Sequence, residues 1–138
     1  MMRSWFVAIV LFGASIAGAY AQASVVERAI KAPAGQIVRI GVFTTIRPDC
    51  TSGPLPAIRL VAPAAHGSVS VRRATLKATN VQQCLAIEVP ALIALYRAAP
   101  NFSGTDQFQL EITFAGGRKE LQHFQIAVTS ATAGGQGI

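Results

Sequence analysis

The sequence predicts a small all-β protein, an antiparallel β-sandwich of about seven strands that carries one disulfide. Short segments that alternate apolar and polar residues recur about every 8–12 residues, which is the spacing typical of a sandwich. Turn-forming residues separate these segments, and no segment has a convincing helical pattern. A partly closed barrel is the alternative arrangement for the same strands.

The N-terminus has the organisation of a secretory signal peptide. Arg3 gives a positive start, an apolar run covers residues 5–19, and Ala19-Tyr20-Ala21 has the A-x-A form of a cleavage site. A membrane anchor is the alternative, but the run is shorter than the ~20 residues that a spanning helix needs. We therefore expect a leader at residues 1–21, one domain at 22–129, a flexible tail at 130–138, and a periplasmic or secreted mature protein with no membrane span.

The remaining segments alternate short strands with loops rich in proline and glycine. Pro90 is expected to end a strand because it has no N–H to donate, while residues 73–80 fit either a strand or a loop. The loop at 47–54 is dense in turn formers, and 115–119 predicts a hairpin loop. Besides the strand described next, strands are predicted at residues 25–31, 36–46, 58–61, 68–72, 83–89, 92–96 and 122–129.

The most regular strand covers residues 107–114 and follows a turn with its own chemistry. Pro100 fixes a backbone dihedral, Gly104 can adopt positive φ, and Asp106 can accept hydrogen bonds from nearby N–H groups. Phe102 is expected to cover the end of the core. The strand itself places four apolar side chains on one face, namely Phe108, Leu110, Ile112 and Phe114.

The sequence of this turn and strand resembles the motif of a known protein family. Tyr96, Phe102, Gly104, Asp106 and Phe108 have the spacing Y-x5-F-x-G-x-D-x-F, which resembles bacterial immunoglobulin-like and cadherin-like modules. The segment 63–69, PAAHGSV, is similar to the turn and strand that precede this motif in those modules. The resemblance spans about residues 58–128 and implies an immunoglobulin-like sandwich. Such modules act as spacers, adhesins and binding domains, so the resemblance implies the fold and leaves the function open.

Cys50 and Cys84 are the only cysteines in the sequence. In an exported chain, an even number of cysteines implies a disulfide, and this bridge would stabilise the fold by roughly 4 kcal/mol. A metal or redox pair is the alternative. It has less support because the two cysteines form no C-x-x-C pattern and have no histidine at ligand spacing.

The residue types that carry catalysis are few. A Ser103–His123–Asp106 triad can be written on paper, but there is no G-x-S-x-G elbow and Asp106 already has a role in the turn. His66 and His123 are the only histidines, and nothing in the sequence brings them together at a metal. The acidic residues form neither a recognisable catalytic pair nor a calcium cluster. We therefore expect no enzyme activity, no cofactor and no metal.

The net charge of +6, with a pI near 10.2, favours binding to anionic partners. Arg39, Arg59 and Arg72 point outward by alternation and Arg97 lies at the central turn, so these four form a possible anionic-ligand surface. The alternative is a solvated surface that keeps the protein soluble. Nucleic acid is not expected as a partner, because the basic residues are dispersed and most aromatic residues point inward.

No single motif in the sequence identifies a biochemical activity. We expect a secreted, non-catalytic module that binds an anionic cell-envelope polymer, another envelope component or a protein partner. One alternative is a small periplasmic enzyme or enzyme inhibitor, which would need a pocket with convergent polar groups. Another is a structural subunit that associates through an exposed strand edge.

Overall fold

The computed structural model describes residues 13–14, 24–81 and 83–130. Within these residues the protein consists of seven β-strands in two sheets and contains no helix, which confirms the all-β class and the predicted number of strands. The predicted leader, apart from Gly13 and Ala14, and the tail beyond Ser130 lie outside the described residues. The strands are β1 (Ser24–Pro33), β2 (Ile37–Phe43), β3 (Ala57–Ala62), β4 (Gly67–Val81), β5 (Cys84–Ala98), β6 (Gly104–Thr113) and β7 (Lys119–Thr129).

One sheet has four strands in the order β1-β7-β6-β3, and the other has three in the order β2-β5-β4. The first and last strands, β1 and β7, pair in parallel, whereas all other neighbours are antiparallel. The prediction of a wholly antiparallel sandwich was therefore wrong at this pair. A short hairpin turn forces antiparallel pairing, but no turn joins β1 to β7, so their relative direction is set by the fold as a whole.

The two sheets bury their inner faces in one hydrophobic core. The strands β6 and β7 contribute every second residue, as the alternation predicts. The rings of Tyr96, Phe108 and Phe124 form a continuous stack, with centroid separations of 5.5 and 4.8 Å. Burial of each large apolar side chain contributes about 1.5–3 kcal/mol before conformational entropy is counted. The fully enclosed members of the core include Leu110, Ile112 and Ile126.

The longest strands, β4 and β5, form a hairpin that extends beyond the third strand of their sheet. They pair over nearly their full length, whereas β2 pairs only with residues 92–97 of β5. Residues 73–80 are therefore strand, and the prediction that Pro90 ends a strand was wrong. The Thr44 hydroxyl donates to the Pro90 carbonyl at 2.8 Å, on the side of β5 away from β4. Because β2 has ended there, the missing N–H of Pro90 removes no hydrogen bond from the sheet.

The loop between β2 and β3 folds back onto the tip of this hairpin. A disulfide joins Cys50 in the loop to Cys84 at the start of β5, with the Cα atoms 5.7 Å apart, which confirms the predicted pair. The Gln83 side-chain amide donates to the carbonyl of Pro48 in the same loop. The loop is thus joined to the tip of the hairpin at two points.

The burial of β5 changes near its start. The alternation predicts Leu85 on the same face as Ile87 and Val89, with Cys84 on the other, and the continuous register with β4 agrees. Leu85 is nevertheless 82% exposed, whereas Val89 on the same face and Cys84 on the opposite face are both buried. The shared face therefore becomes buried only at Val89.

Candidate binding surface

A buried carboxylate organises the corner where β5, β6 and the β3–β4 turn meet. Asp106 is 1% exposed and accepts a hydrogen bond from the Tyr96 hydroxyl at 2.6 Å. The backbone N–H groups of Ala65, His66 and Gln107 donate to the same carboxylate at 3.0–3.3 Å. A buried charge is tolerated only with such a full set of partners, so Asp106 fixes the turn and the strand start together.

Several positions at this corner tolerate few other residue types. Burial, followed by the hydrogen bond to Asp106 and its charge, raises the pKa of Tyr96 well above the ordinary tyrosine value. A Cβ atom on Gly67 would lie 2.6 Å from the Tyr96 ring and 2.7 Å from a backbone carbonyl oxygen. Gly104 has a φ of 135°, which residues with a side chain rarely adopt.

An open cleft of about 620 Å³ lies beside this corner. The rings of His66 and Phe102 stack at its wall with a centroid distance of 4.0 Å, and Phe102 also packs against the core. Pro100, the turn residue predicted from the sequence, lines the same cleft. Ser68 and Arg97 line both this cleft and a smaller one of about 190 Å³ on the outer face of the three-stranded sheet. The two clefts therefore share one border.

The outer face of the three-stranded sheet combines aliphatic and arginine side chains. Strand register places side chains in three cross-strand rows on this face, because directly paired residues share a side. The rows are Ile37–Arg97–Ser68, Arg39–Leu95–Ser70 and Val42–Ile93–Arg72. Ile37 is 59% exposed and Val42 37% exposed. These nine residues, which we call the outer patch, include no carboxylate.

Three of the four arginines proposed from the sequence thus lie together in the outer patch. The Arg97 Nε donates to the Gly35 carbonyl at 3.0 Å, which orients its guanidinium beside the cleft. Within the described part of the chain, Arg39 and Arg72 form no ion pair. Their charge therefore remains available to a partner.

The outer face of the four-stranded sheet has a different character. Arg59, the fourth arginine of the proposed set, lies there and pairs with Glu111 at 3.3 Å, and Lys119 approaches the same carboxylate at 3.8 Å. His123 contacts Glu27 at 2.7 Å. Arg59, Lys119 and His123 on this face thus have acidic partners, whereas the exposed Lys31 has no ion pair within the described residues. Arg59 is separated from the outer patch by the whole thickness of the core.

The residues considered for catalysis are not brought together. Asp106 points into the core from β6, whereas His123 lies on the opposite, outer side of the same sheet. In residues 24–81 and 83–130 no group of three or more His, Cys, Asp or Glu side chains could hold a metal ion. A search of the described segments also finds no helix with the length and apolarity required to cross a bilayer.

Comparison with known proteins adds little to this geometry. No protein-family model and no curated protein matches the chain. Among solved structures it is similar to the solution structure of amebosin, with 9% sequence identity and a TM-score of 0.46. That similarity covers 78% of this chain and 99% of amebosin. It is too distant to carry an argument about fold or function.

Sequence reasoning missed the aliphatic half of the outer patch. The segment ALIALY at residues 91–96 is apolar at both alternating positions, as is much of β2. Such segments are typical of strands covered on both faces, but here one face of Ile93 and Leu95 is covered only in part. Apolar residues on both sides of a strand in a two-layer fold are the signal that could have identified this patch.

Proposed function

We propose that the protein is an exported, non-catalytic immunoglobulin-like module that binds an anionic partner through the outer patch. The partner is either an envelope component or a protein. The observation that carries this proposal is the asymmetry between the two outer faces. The outer patch exposes aliphatic side chains beside Arg39, Arg72 and Arg97 without a carboxylate, whereas Arg59, Lys119 and His123 on the other face have acidic partners.

The strand order supports the immunoglobulin-like assignment. If the seven strands are labelled A to G in sequence, one sheet contains the C-F-G group and the other contains B, E and D, as in immunoglobulin domains. Strand A lies beside G instead of B. The disulfide differs from the B–F bridge of antibody domains, since it joins the B–C loop to the start of strand E.

The disulfide supports export as well. Structural disulfides form and persist in oxidising compartments such as the periplasm or the extracellular space. Cys50 and Cys84 are bonded, and the N-terminal sequence has the organisation of a secretory leader. Together these features favour a periplasmic or secreted location.

The chemistry of the outer patch favours carboxylate, phosphate or sulfate groups. Arginine presents a planar fork of donors that can bind such groups with two hydrogen bonds. Neighbouring aliphatic side chains such as Ile37 and Leu95 lower the local polarity, which strengthens each ionic contact once a partner covers them. Because the Gly35 carbonyl already holds Arg97 in place, part of its side-chain entropy is lost before binding.

A binding assay with charge-matched variants tests this proposal. The oxidised protein is titrated with a sulfated dextran and incubated with envelope extract, at low and raised salt. The double variant Arg39→Gln/Arg72→Gln is expected to lose affinity by about tenfold or more, with a weaker dependence on salt. The control Arg28→Gln/Arg59→Gln removes the same charge from the other sheet and is expected to bind as the parent does. Equal losses in both pairs would show that only net charge matters and would refute the proposal.

A further inference from the structure

The outer edge of β4 has no strand partner in the part of the chain that the structure describes. The strand has 15 residues, so this edge is about 50 Å long. The edge strands β2 and β3 are shorter, with 7 and 6 residues, and each is interrupted by a register shift. The remaining edge strand, β1, has 10 residues without a shift and ends at Pro33. β4 contains no proline, and its register with β5 shows no shift. Proteins usually protect edges with such irregularities. In β4 the one backbone irregularity is Asn80, with a φ of 54°, near the hairpin tip, and residues 67–79 have none.

The backbone groups that β4 presents at this edge can be assigned from its register. The Ala98 carbonyl accepts from the Gly35 N–H, on the side of β5 away from β4, and the Pro90 carbonyl points the same way. Gly67 and Thr75 pair with these two residues, so they are at non-hydrogen-bonded positions of the antiparallel ladder. Every second residue therefore directs its N–H and C=O to the open edge, namely Gly67, Val69, Val71, Arg73 and Thr75.

The charge on β4 selects what can pair with it. The strand carries Arg72, Arg73 and Lys77 and no acidic residue. Lys77 is paired with Glu88 at 3.4 Å, whereas Arg72 and Arg73 form no ion pair within the described residues. A second copy of β4 would bring like charges together, which destabilises a strand pair. An acidic segment would instead be attracted along its length.

We propose that the free edge of β4 accepts an extended acidic segment of a partner protein as a fourth strand of this sheet. The inference rests on the proposed function and names the partner as a polypeptide. Main-chain hydrogen bonds would provide affinity, and side chains would provide selectivity. Arg72 and Arg73 are consecutive, so their side chains lie on opposite faces of the sheet. Two consecutive acidic residues in the added strand would therefore each meet a guanidinium.

Amide hydrogen exchange gives a direct test. The probe is a peptide of about ten residues that alternates threonine and valine and carries two central glutamates. Binding to the oxidised protein is expected to slow exchange at Val69, Val71 and Arg73. The amides of Ser70 and Arg72 already bond to β5 and should change little. A peptide with two lysines in place of the glutamates should bind at least about tenfold more weakly.

Proline variants test the edge without changing charge. Val71→Pro removes an outward N–H and should reduce peptide affinity about tenfold, while the control Val71→Thr keeps that N–H and should bind normally. Thr75→Pro, with Thr75→Ser as its control, gives the same test at an exposed site opposite Pro90, in case Val71→Pro impairs folding. Neither proline is expected to alter binding of sulfated dextran.

The outcomes separate this inference from the proposed function. Slowed exchange at alternate residues, with loss of peptide binding in the proline variants, supports the added strand. If sulfated dextran binding depends on Arg39 and Arg72 but the peptide protects no amide of β4, the outer patch stands and the added strand is refuted. Protection at Val69 and Val71 that appears without peptide and grows with protein concentration would identify a second copy as the occupant and also refute it.

Discussion

The hydrogen bond between Tyr96 and Asp106 allows a prediction whose sign is fixed by burial. Tyr96→Phe removes one hydrogen bond to a buried carboxylate, which retains its three backbone donors. A hydrogen bond to a charged group contributes about 1.5–3 kcal/mol, so we expect the free energy of unfolding to fall by that amount. Asp106→Ala removes the acceptor from all four donors and is expected to cost about 3–5 kcal/mol.

The double variant distinguishes a specific pair from two independent losses. In the Asp106→Ala background the Tyr96 hydroxyl is buried without its acceptor, so its removal relieves a desolvation penalty. Tyr96→Phe should then be neutral or stabilising, although it is destabilising in the parent protein. The coupling free energy should be about 1.5–3 kcal/mol.

Urea unfolding of the oxidised protein, followed by far-ultraviolet circular dichroism, measures all four corners of this cycle. If the free energy of unfolding falls with urea concentration at the same slope in all four proteins, each variant exposes the same surface area on unfolding. If Asp106→Ala does not fold, Asp106→Asn replaces it. An amide oxygen at the Oδ1 position keeps the acceptor of the backbone donors, while nitrogen replaces Oδ2, the acceptor of the Tyr96 hydroxyl. A cost for Tyr96→Phe that is the same in both backgrounds would refute the assigned hydrogen bond.

Two further predictions concern the same corner. Gly67→Ala places a Cβ atom 2.6 Å from the Tyr96 ring and is expected to destabilise the protein by about 1–3 kcal/mol in thermal unfolding, whereas Gly116→Ala, with open space around it, should change little. A destabilisation by Gly116→Ala equal to that of Gly67→Ala would contradict this. Because the folded state raises the pKa of Tyr96, its contribution to stability is full below the ordinary tyrosine pKa of about 10 and is lost as pH rises above it. Unfolding measured between about pH 9 and 12 should therefore show an alkaline loss of stability that is smaller in Tyr96→Phe, with tyrosinate absorbance as the check; equal losses would argue against the raised pKa.

The parts of the fold that sequence predicted well are those determined by local chemistry. Alternation and turn residues placed the strand at 107–114 within a few positions of β6 (Gly104–Thr113). The turn before it depends on the backbone freedom of Gly104 and the acceptor capacity of Asp106, both of which belong to single residues. The disulfide followed from the count of two cysteines and from the expectation of an exported chain.

The features that sequence missed depend on neighbours distant in the chain. Whether Pro90 ends a strand depends on which side of β5 its nitrogen faces, and that side is set by where β2 ends. The parallel pairing of β1 with β7 likewise follows from no local signal. Leu85 is exposed although Val89 on the same face is buried, a difference that alternation within β5 does not contain.

The same dependence on residues distant in the chain explains why the sequence predicted the candidate site only in part. Alternation identified Arg39, Arg59 and Arg72 as outward residues but could not assign each strand to a sheet. The fold places Arg59 beside Glu111 and the other two in the outer patch. Three arginines that are far apart in sequence thereby form one surface, which only the strand order could reveal.

If the outer patch binds a partner as we propose, its selectivity follows from the cost of removing water from its charges. Its aliphatic side chains, including Ile37 and Leu95, could pack against many partners. A neutral partner that covered them would also dehydrate Arg39 or Arg72 without an opposite charge, at a cost of several kcal/mol per buried ion. A partner with carboxylate, phosphate or sulfate groups would recover that cost through charge-assisted hydrogen bonds. Under the proposed function, arginines without carboxylate neighbours would therefore disfavour neutral partners as well as attract acidic ones, and this would make an apolar sheet face selective.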